Sequence, residues 1–230
     1  MGGYRRPRAK PPKAGGKPGR QRGGAGATVT MARRPKLFVF DLDDTVWYPE
    51  MYMLSGAPFK KDQRGRVFDR AGEEVVVYPA AMACLKELAT ADEWKGAKIA
   101  YASRTHQKSW AMKCLELIEV PDAGGLSLLD ISAHIEIQSG TKCRHFENLH
   151  RASGIPYEDM IFFDNERWNI TEVSGWSREV TGGRGVDRQA GAGLGLSICK
   201  AIVDLHHGAI GLQMADIPHF VVEHLRRITD

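Results

Sequence analysis

Three carboxylates, Asp41, Asp43 and Asp44, stand within four residues directly after the apolar run 37–40. The run has the length and composition of a buried parallel strand. Groups that follow such a strand lie at its carboxyl end, where α/β sheets bind ligands. Carboxylates this close repel one another, and a divalent cation relieves the repulsion. Carboxylate oxygens suit Mg²⁺, so the cluster predicts a magnesium site, with a solvated acidic turn as the alternative.

Polar side chains also follow the next three predicted strands. They are Ser103 and Arg104 after strand 97–102, Lys142 after strand 132–138 and the turn behind it, and Asp164 and Asn165 after strand 159–163. Parallel strands present their carboxyl ends at one edge of a sheet. We therefore expect these side chains to converge on Asp41.

Four predicted helices alternate with the four strands. Apolar residues at helical spacing place them at about 80–91, 107–118, 142–152 and 166–174. This alternation predicts an α/β fold with a doubly wound parallel sheet. Between the first strand and the first helix, segments 66–68 and 74–78 flank a turn. They predict a β-hairpin that forms a small flap over the strand ends.

The string Phe-Asp-Leu-Asp-Asp-Thr at 40–45 resembles the first motif of the haloacid dehalogenase superfamily of phosphotransferases. Residues 31–175 look like its magnesium-dependent phosphatase-1 family. The matching stretches are 36–47, the hairpin region 58–79, 102–105, Lys142 with His145 and Phe146, and 162–169. The resemblance implies a Rossmann-like, nearly capless domain and Mg²⁺-dependent hydrolysis of phosphate monoesters.

The resemblance also implies roles for the acidic residues. Asp41 would be the nucleophile that forms an aspartyl-phosphate, and Asp43 would be the general acid and base. Mg²⁺ would be bound by the Asp41 side chain, the Asp43 backbone carbonyl and the Asn165 side chain. The family usually carries Asp-Asp where this chain has Asp164 and Asn165. An amide oxygen is a legitimate ligand without charge, so we expect weaker Mg²⁺ binding.

The remaining implied roles concern the substrate's phosphate and the support of the site. Ser103, Arg104 and Lys142 would bind the phosphate, and Asp164 would orient the site from behind the metal ligands. Arg104 could instead be an ordinary surface residue, and Lys142 could be a solvated helix residue. For Trp47, the sequence leaves open whether it lines the entrance or closes the core.

The resemblance allows phosphotyrosine in proteins or small sugar phosphates as substrates. The expected partner is therefore a phosphorylated small molecule or a phosphoprotein. The alternative function is a catalytically weak phosphate-binding or regulatory module, disabled by the altered fourth motif and a divergent C-terminal segment. Phosphate release with and without Mg²⁺ would separate the two.

The charge of the chain is divided unevenly along its length. Residues 1–40 contain eleven Lys or Arg and no acid, so the rest carries 21 basic against 28 acidic residues, a net charge of −7. The basic character belongs to the leader, and it gives little support for nucleic acid binding. No apolar run reaches the roughly 20 residues that span a bilayer. The four scattered cysteines predict reduced thiols in a cytoplasmic protein.

Two segments flank the predicted phosphatase domain of 36–175. Residues 1–35 are rich in Gly, Arg and Pro and predict a disordered extension, with organelle targeting or a natural start at Met31 as alternatives. Within 176–230, the stretch 184–212 resembles the second glycine box of sensor histidine kinase ATP-binding domains. The other boxes of that domain have no counterpart, so we expect no ATP binding. Residues 182–195 are predicted as a loop and 196–205 as a helix.

Overall fold

The computed structural model describes residues 35–180, and its centre is a four-stranded parallel sheet. In chain order the strands are β1 (Leu37–Phe40), β2 (Trp47–Tyr48), β3 (Lys60–Lys61), β4 (Val67–Phe68), β5 (Glu74–Val77), β6 (Lys98–Ser103), β7 (Ser132–Ile137) and β8 (Met160–Phe163). The central sheet has the order β7-β6-β1-β8. Every pairing in it is parallel, which confirms the predicted doubly wound α/β fold.

Helices cover both faces of the central sheet. They are α1 (Pro79–Thr90), α2 (Lys108–Leu117), α3 (Lys142–Ser153) and α4 (Arg167–Val180). Alternate residues of each strand point to opposite faces, so Phe38 and Phe40 pack with α1 and α2. Leu37 and Val39 pack with α3 and α4 on the other face. The strands β1 and β8 are apolar and buried on both faces, as their uninterrupted apolar runs predicted.

A second, antiparallel sheet has the order β2-β5-β4-β3. Its strands β4 and β5 are the predicted hairpin, with Val67 paired to Val75. Both valines are buried in the same core cluster as Phe40, so the hairpin is fastened to the domain through its apolar side. Gly56 has φ of +97° and lies directly against the Trp110 ring of α2, a close approach that only a residue without Cβ permits.

The last described helix is longer than predicted. Helix α4 continues beyond Ser174 to Val180, and the Trp176 ring packs at 5.0 Å from the Tyr157 ring. Among the described residues, no helix has the length and apolar character that crossing a membrane requires. The three cysteines in this part of the chain are free thiols. The predictions for the leader, the glycine-rich loop and the helix 196–205 fall outside the described residues.

Candidate active site

A pocket of about 300 Å³ opens at the carboxyl ends of β1, β6 and β8, and most of the predicted site residues line it. The chain runs from β1 to β6 and β7 on one side and then crosses to β8 on the other, so β1 and β8 flank a topological switch point. The predicted residues in the lining are Asp41, Asp43, Ser103, Arg104, Lys142 and Asn165. Asp164 lies behind this lining and is fully buried.

Lys142 binds the predicted nucleophile directly. It begins α3, its side chain is 1% exposed, and its Nζ lies 2.5 Å from Oδ1 of Asp41. The same Nζ donates to the carbonyl oxygen of Ala102 at 2.5 Å and lies 3.1 Å from Oδ2 of Asp164. The alternative of a solvated lysine is therefore wrong. Burial raises the pKa of Asp41 to about 7, and Lys142 opposes this rise.

Asp43 is fixed by two donors on the same oxygen. Its Oδ1 accepts from Nε1 of Trp47 at 2.9 Å and from the backbone N–H of Met51 at 3.2 Å. Trp47 is fully buried, so it closes the core and also carries a polar contact that the sequence did not indicate. Burial raises the pKa of Asp43, while the Trp47 and Met51 bonds oppose that rise. Such a carboxyl can hold a proton more readily than a solvated one.

Thr45 connects the two strand ends that carry the predicted metal ligands. Its Oγ1 donates to Oδ1 of Asn165 at 3.2 Å and accepts from the Asn165 backbone N–H at 2.9 Å. Thr45 is 1% exposed, whereas Asn165 is half-buried and lines the pocket. The amide oxygen of Asn165 is thereby held beside the pocket. The threonine belongs to the string that carried the family resemblance, although that string did not reveal this contact.

Asp164 is bound on both oxygens by neighbouring residues. Its Oδ1 accepts from the backbone N–H of Glu166 at 2.8 Å, and Nδ2 of Asn169 lies 3.0 Å from both Oδ1 and Oδ2. With Lys142 beside Oδ2, the carboxylate is fully paired. Asp164 therefore contacts residues that line the pocket, although it does not line the pocket itself.

Arg104 stands at the mouth of the pocket and is exposed. Its guanidinium lies 4.6 Å from the centre of the Trp168 ring, and its Nη1 donates to Oδ1 of Asn169 at 3.2 Å. Arg104 is thus held in place on two sides, unlike a freely solvated surface arginine.

Ser103 lies at the end of β6 and also lines the pocket. It is 1% exposed, and its Oγ accepts from the backbone N–H of Thr105 at 3.2 Å.

The charges around the pocket favour a divalent cation. Four carboxylates line it, against the two cations Lys142 and Arg104; the carboxylates are Asp41, Asp43, Glu50 and Glu166. Burial and the neighbouring carboxylates of Asp44, Asp43 and Glu166 raise the pKa of Glu50. An excess of negative charge surrounded by oxygen donors suits Mg²⁺.

The donor set itself also fits Mg²⁺. Asp41, Asp43 and Asn165, the predicted metal ligands, all line the pocket, and carboxylate, backbone carbonyl and amide oxygens are donors that suit Mg²⁺. Within residues 35–180, no cluster of three or more His, Cys, Asp or Glu is arranged as a metal site. The predicted donors are one carboxylate, one backbone oxygen and one amide oxygen, and such a set is not a cluster of that kind.

Comparison with known proteins shows which family the chain matches. Residues 33–189 match the family model described as Acid Phosphatase. The chain is 42% identical over 144 residues to "Magnesium-dependent phosphatase 1" of Homo sapiens, covering 63% of this chain and 75% of that protein. It is 35% identical over 138 residues to a HAD-like hydrolase superfamily protein of Schizosaccharomyces pombe, covering 59% of this chain and 78% of that one.

Among solved structures, one similar chain is the N-terminal part of a Bacteroides fragilis protein containing a phosphatase domain complexed with Mg. The identity is 18%, the TM-score is 0.41, and the similarity covers 75% of this chain and 40% of that one. The sequence matches, rather than this structural similarity, carry the family assignment.

Proposed function

This chain belongs to the Acid Phosphatase family of haloacid dehalogenase-type enzymes and is a Mg²⁺-dependent phosphatase; we propose that it hydrolyses phosphate monoesters through an aspartyl-phosphate on Asp41. The observation that carries the proposal is the contact of 2.5 Å between Nζ of Lys142 and Oδ1 of Asp41 at the wall of the pocket. A buried ammonium favours the ionised carboxylate, which is the form that can attack.

In the first step, an oxygen of Asp41 bonds to phosphorus as the bond to the leaving oxygen breaks. The proton of Asp43 passes to that leaving oxygen. Lys142, Arg104 and Ser103 hold the phosphoryl oxygens, since all three line the same pocket. Asp41, the backbone oxygen of Asp43, and Asn165 would hold Mg²⁺, which when bound neutralises phosphate charge.

In the second step, water attacks the phosphorus of the aspartyl-phosphate. Its proton passes to the carboxylate of Asp43, and inorganic phosphate leaves with Asp41 regenerated. The hydrogen bonds on Oδ1 of Asp43 come from Trp47 and Met51, so Oδ2 is the oxygen that carries the moving proton. The raised pKa of Asp43 supports both roles, because the acid form is easier to populate.

The mouth of the pocket suits two substrate classes. Tyr52 and Trp168 line it and are 69% and 51% exposed, so they offer aromatic faces to the leaving group of a phosphotyrosine. Glu50 and Glu166 in the same lining offer acceptors for the hydroxyl groups of a small sugar phosphate. We propose phosphotyrosine in proteins or small sugar phosphates as the substrates.

The test is phosphate release by the full chain from an aryl phosphate, a phosphotyrosine peptide and a panel of sugar phosphates. We expect turnover with Mg²⁺, loss of turnover in a chelator, and recovery when Mg²⁺ is restored. Absence of turnover on every substrate with Mg²⁺ present would refute the proposed function. Turnover that persists in the chelator would refute the part assigned to Mg²⁺.

A further inference from the structure

Asn169 of α4 is a buried amide that uses both ends of its side chain at the pocket. It is 3% exposed and lines the pocket wall. Its Nδ2 donates to the carboxylate of Asp164 at 3.0 Å, and its Oδ1 accepts from Nη1 of Arg104 at 3.2 Å. An amide suits this place because it offers a donor to the carboxylate and an acceptor to the guanidinium.

The contacts continue from Asp164 to the reacting carboxylate. Oδ2 of Asp164 lies 3.1 Å from Nζ of Lys142, and that Nζ lies 2.5 Å from Asp41. The side chains of Asp164 and Lys142 are 0% and 1% exposed, so water does not screen the ion pair between them. One amide is therefore bonded, directly or through one carboxylate, to both cations of the pocket.

Arg104 needs such support because it is exposed. A long solvated side chain loses rotamer freedom when it is held at one place, which costs free energy. The Trp168 ring lies under its guanidinium, and Asn169 fixes the direction of Nη1. The stacking restricts the plane of the guanidinium, while the hydrogen bond selects its rotation within that plane.

We propose that Asn169 is a positioning residue for the substrate's phosphoryl group. It fixes Arg104 at the mouth of the pocket, and through Asp164 it fixes Lys142 beside Asp41. The inference rests on the proposed function, because it requires that the pocket bind the phosphoryl group of a substrate. It predicts that Asn169 affects substrate binding through Arg104 and turnover through Lys142.

The test is a double-mutant cycle with Asn169→Leu and Arg104→Met, measured as kcat and KM. We expect Arg104→Met to raise KM about tenfold, as loss of a charge-assisted contact does. Asn169→Leu should raise KM and lower kcat in the native background. In the Arg104→Met background it should lower kcat by the same factor and raise KM by a smaller factor than in the native background, because the arginine it positions is absent.

A second variant separates the contact of Asn169 with Arg104 from its contact with Asp164. Asn169→Asp keeps an acceptor for Arg104 but places a like charge beside Asp164 in place of the donor. We expect a KM closer to that of the native protein than the KM of Asn169→Leu, and a lowered kcat. This variant also keeps the proposal testable if the leucine variant does not fold.

Asn148 supplies a matched control. Its Nδ2 donates to Oε2 of Glu136 at 3.0 Å and its Oδ1 accepts from Nη1 of Arg151 at 3.3 Å, the same pair of bonds outside the pocket lining. Asn148→Leu should leave kcat and KM unchanged. If Asn169→Leu behaves like Asn148→Leu, or raises KM by one factor whether Arg104 is present or absent, the proposal is overturned.

Inorganic phosphate gives a readout that does not need turnover. In calorimetry with Mg²⁺ present, Arg104→Met and Asn169→Leu should each weaken phosphate binding, and the loss in the double variant should be smaller than the sum of the two single losses. An inactive native protein that still shows this pattern would refute the proposed function and keep the positioning role. Phosphate binding that Asn169→Leu leaves unchanged would overturn the positioning role.

Discussion

The indole Nε1 of Trp47 donates a 2.9 Å hydrogen bond to Oδ1 of Asp43, from a ring that is itself fully buried. A core side chain thus orients the carboxyl proposed to move protons. Since the ring cannot rotate without disturbing the core, the carboxyl has one preferred direction. The adjoining Met51 N–H bonds to the same oxygen and reinforces that direction.

Trp47→Phe is expected to lower kcat by roughly tenfold, because the acid remains but is less well placed. KM should change little, since Trp47 does not line the pocket. Trp94→Phe is the control: Trp94 is also buried, and its Nε1 has no hydrogen-bond partner among the described residues. Steady-state kinetics that show the same fall in both variants would assign the effect to packing rather than to the Asp43 contact.

Asn165→Asp is expected to tighten Mg²⁺ binding by about 1–2 kcal/mol, the order of a charge-assisted contact. Thr45 Oγ1 donates to Oδ1 of Asn165, and a carboxylate can accept the same bond, so the local geometry is preserved. The half-saturating Mg²⁺ concentration in an activity titration should fall about tenfold. An unchanged or higher half-saturating concentration would count against Asn165 as a ligand.

The strands and the convergence of the site were predictable because each depends on local pattern. The patterns of apolar residues marked β1, β6, β7 and β8, and the residues at the ends of these strands meet at one edge of a parallel sheet. The two-residue strands β2 and β3 were not predicted, since two residues carry no alternation to detect.

The supporting contacts were not predictable from spacing alone. Trp47 reaches Asp43 from four residues away through a turn, and Asn169 reaches Asp164 from five residues away. Neither spacing has a signature that marks such a contact, so the two bonds become visible only in the structure. The bond from Arg104 to Asn169 joins residues 65 apart in the chain, a pairing that depends on the sheet order.

Gly56→Ala is expected to destabilise the fold more than Gly65→Ala. Both glycines have positive φ, +97° and +81°, so backbone strain costs each variant about 1–3 kcal/mol. A Cβ on Gly56 would also stand 2.3 Å from the Trp110 ring, whereas Gly65 has nothing within 4 Å. Overpacking adds about 1–3 kcal/mol to Gly56→Ala alone. Equal free energies of unfolding in denaturant titrations would contradict this account of Gly56.

The stability of the metal-free protein should depend on pH through Asp41. Its pKa rises from 3.8 to about 7 on folding because of burial, so the folded state keeps a proton that the unfolded chain releases. The contribution of Asp41 to the free energy of unfolding is therefore lost as pH rises from about 4 to about 7. His145 acts in the opposite direction, because burial lowers its pKa from 6.5 to about 4.

Comparison with Asp41→Asn isolates the contribution of Asp41, since His145 is common to both proteins. The native free energy of unfolding minus that of the variant should fall steadily as pH rises from about 4 to about 7. Denaturant titrations in chelator at several pH values measure this difference. A difference that stays constant or rises with pH would contradict the raised pKa of Asp41.

The central claim is that Asp41 carries the phosphoryl group during turnover. The most direct measurement is rapid acid quenching of the full chain during turnover of an aryl phosphate with Mg²⁺, followed by peptide mass spectrometry. We predict one added phosphoryl group, labile to alkali, on the peptide that contains Asp41. The Asp41→Asn variant should show no such adduct and no turnover, while its circular dichroism spectrum matches that of the native protein. A phosphoryl group on another residue, or near-native turnover by Asp41→Asn, would contradict the account.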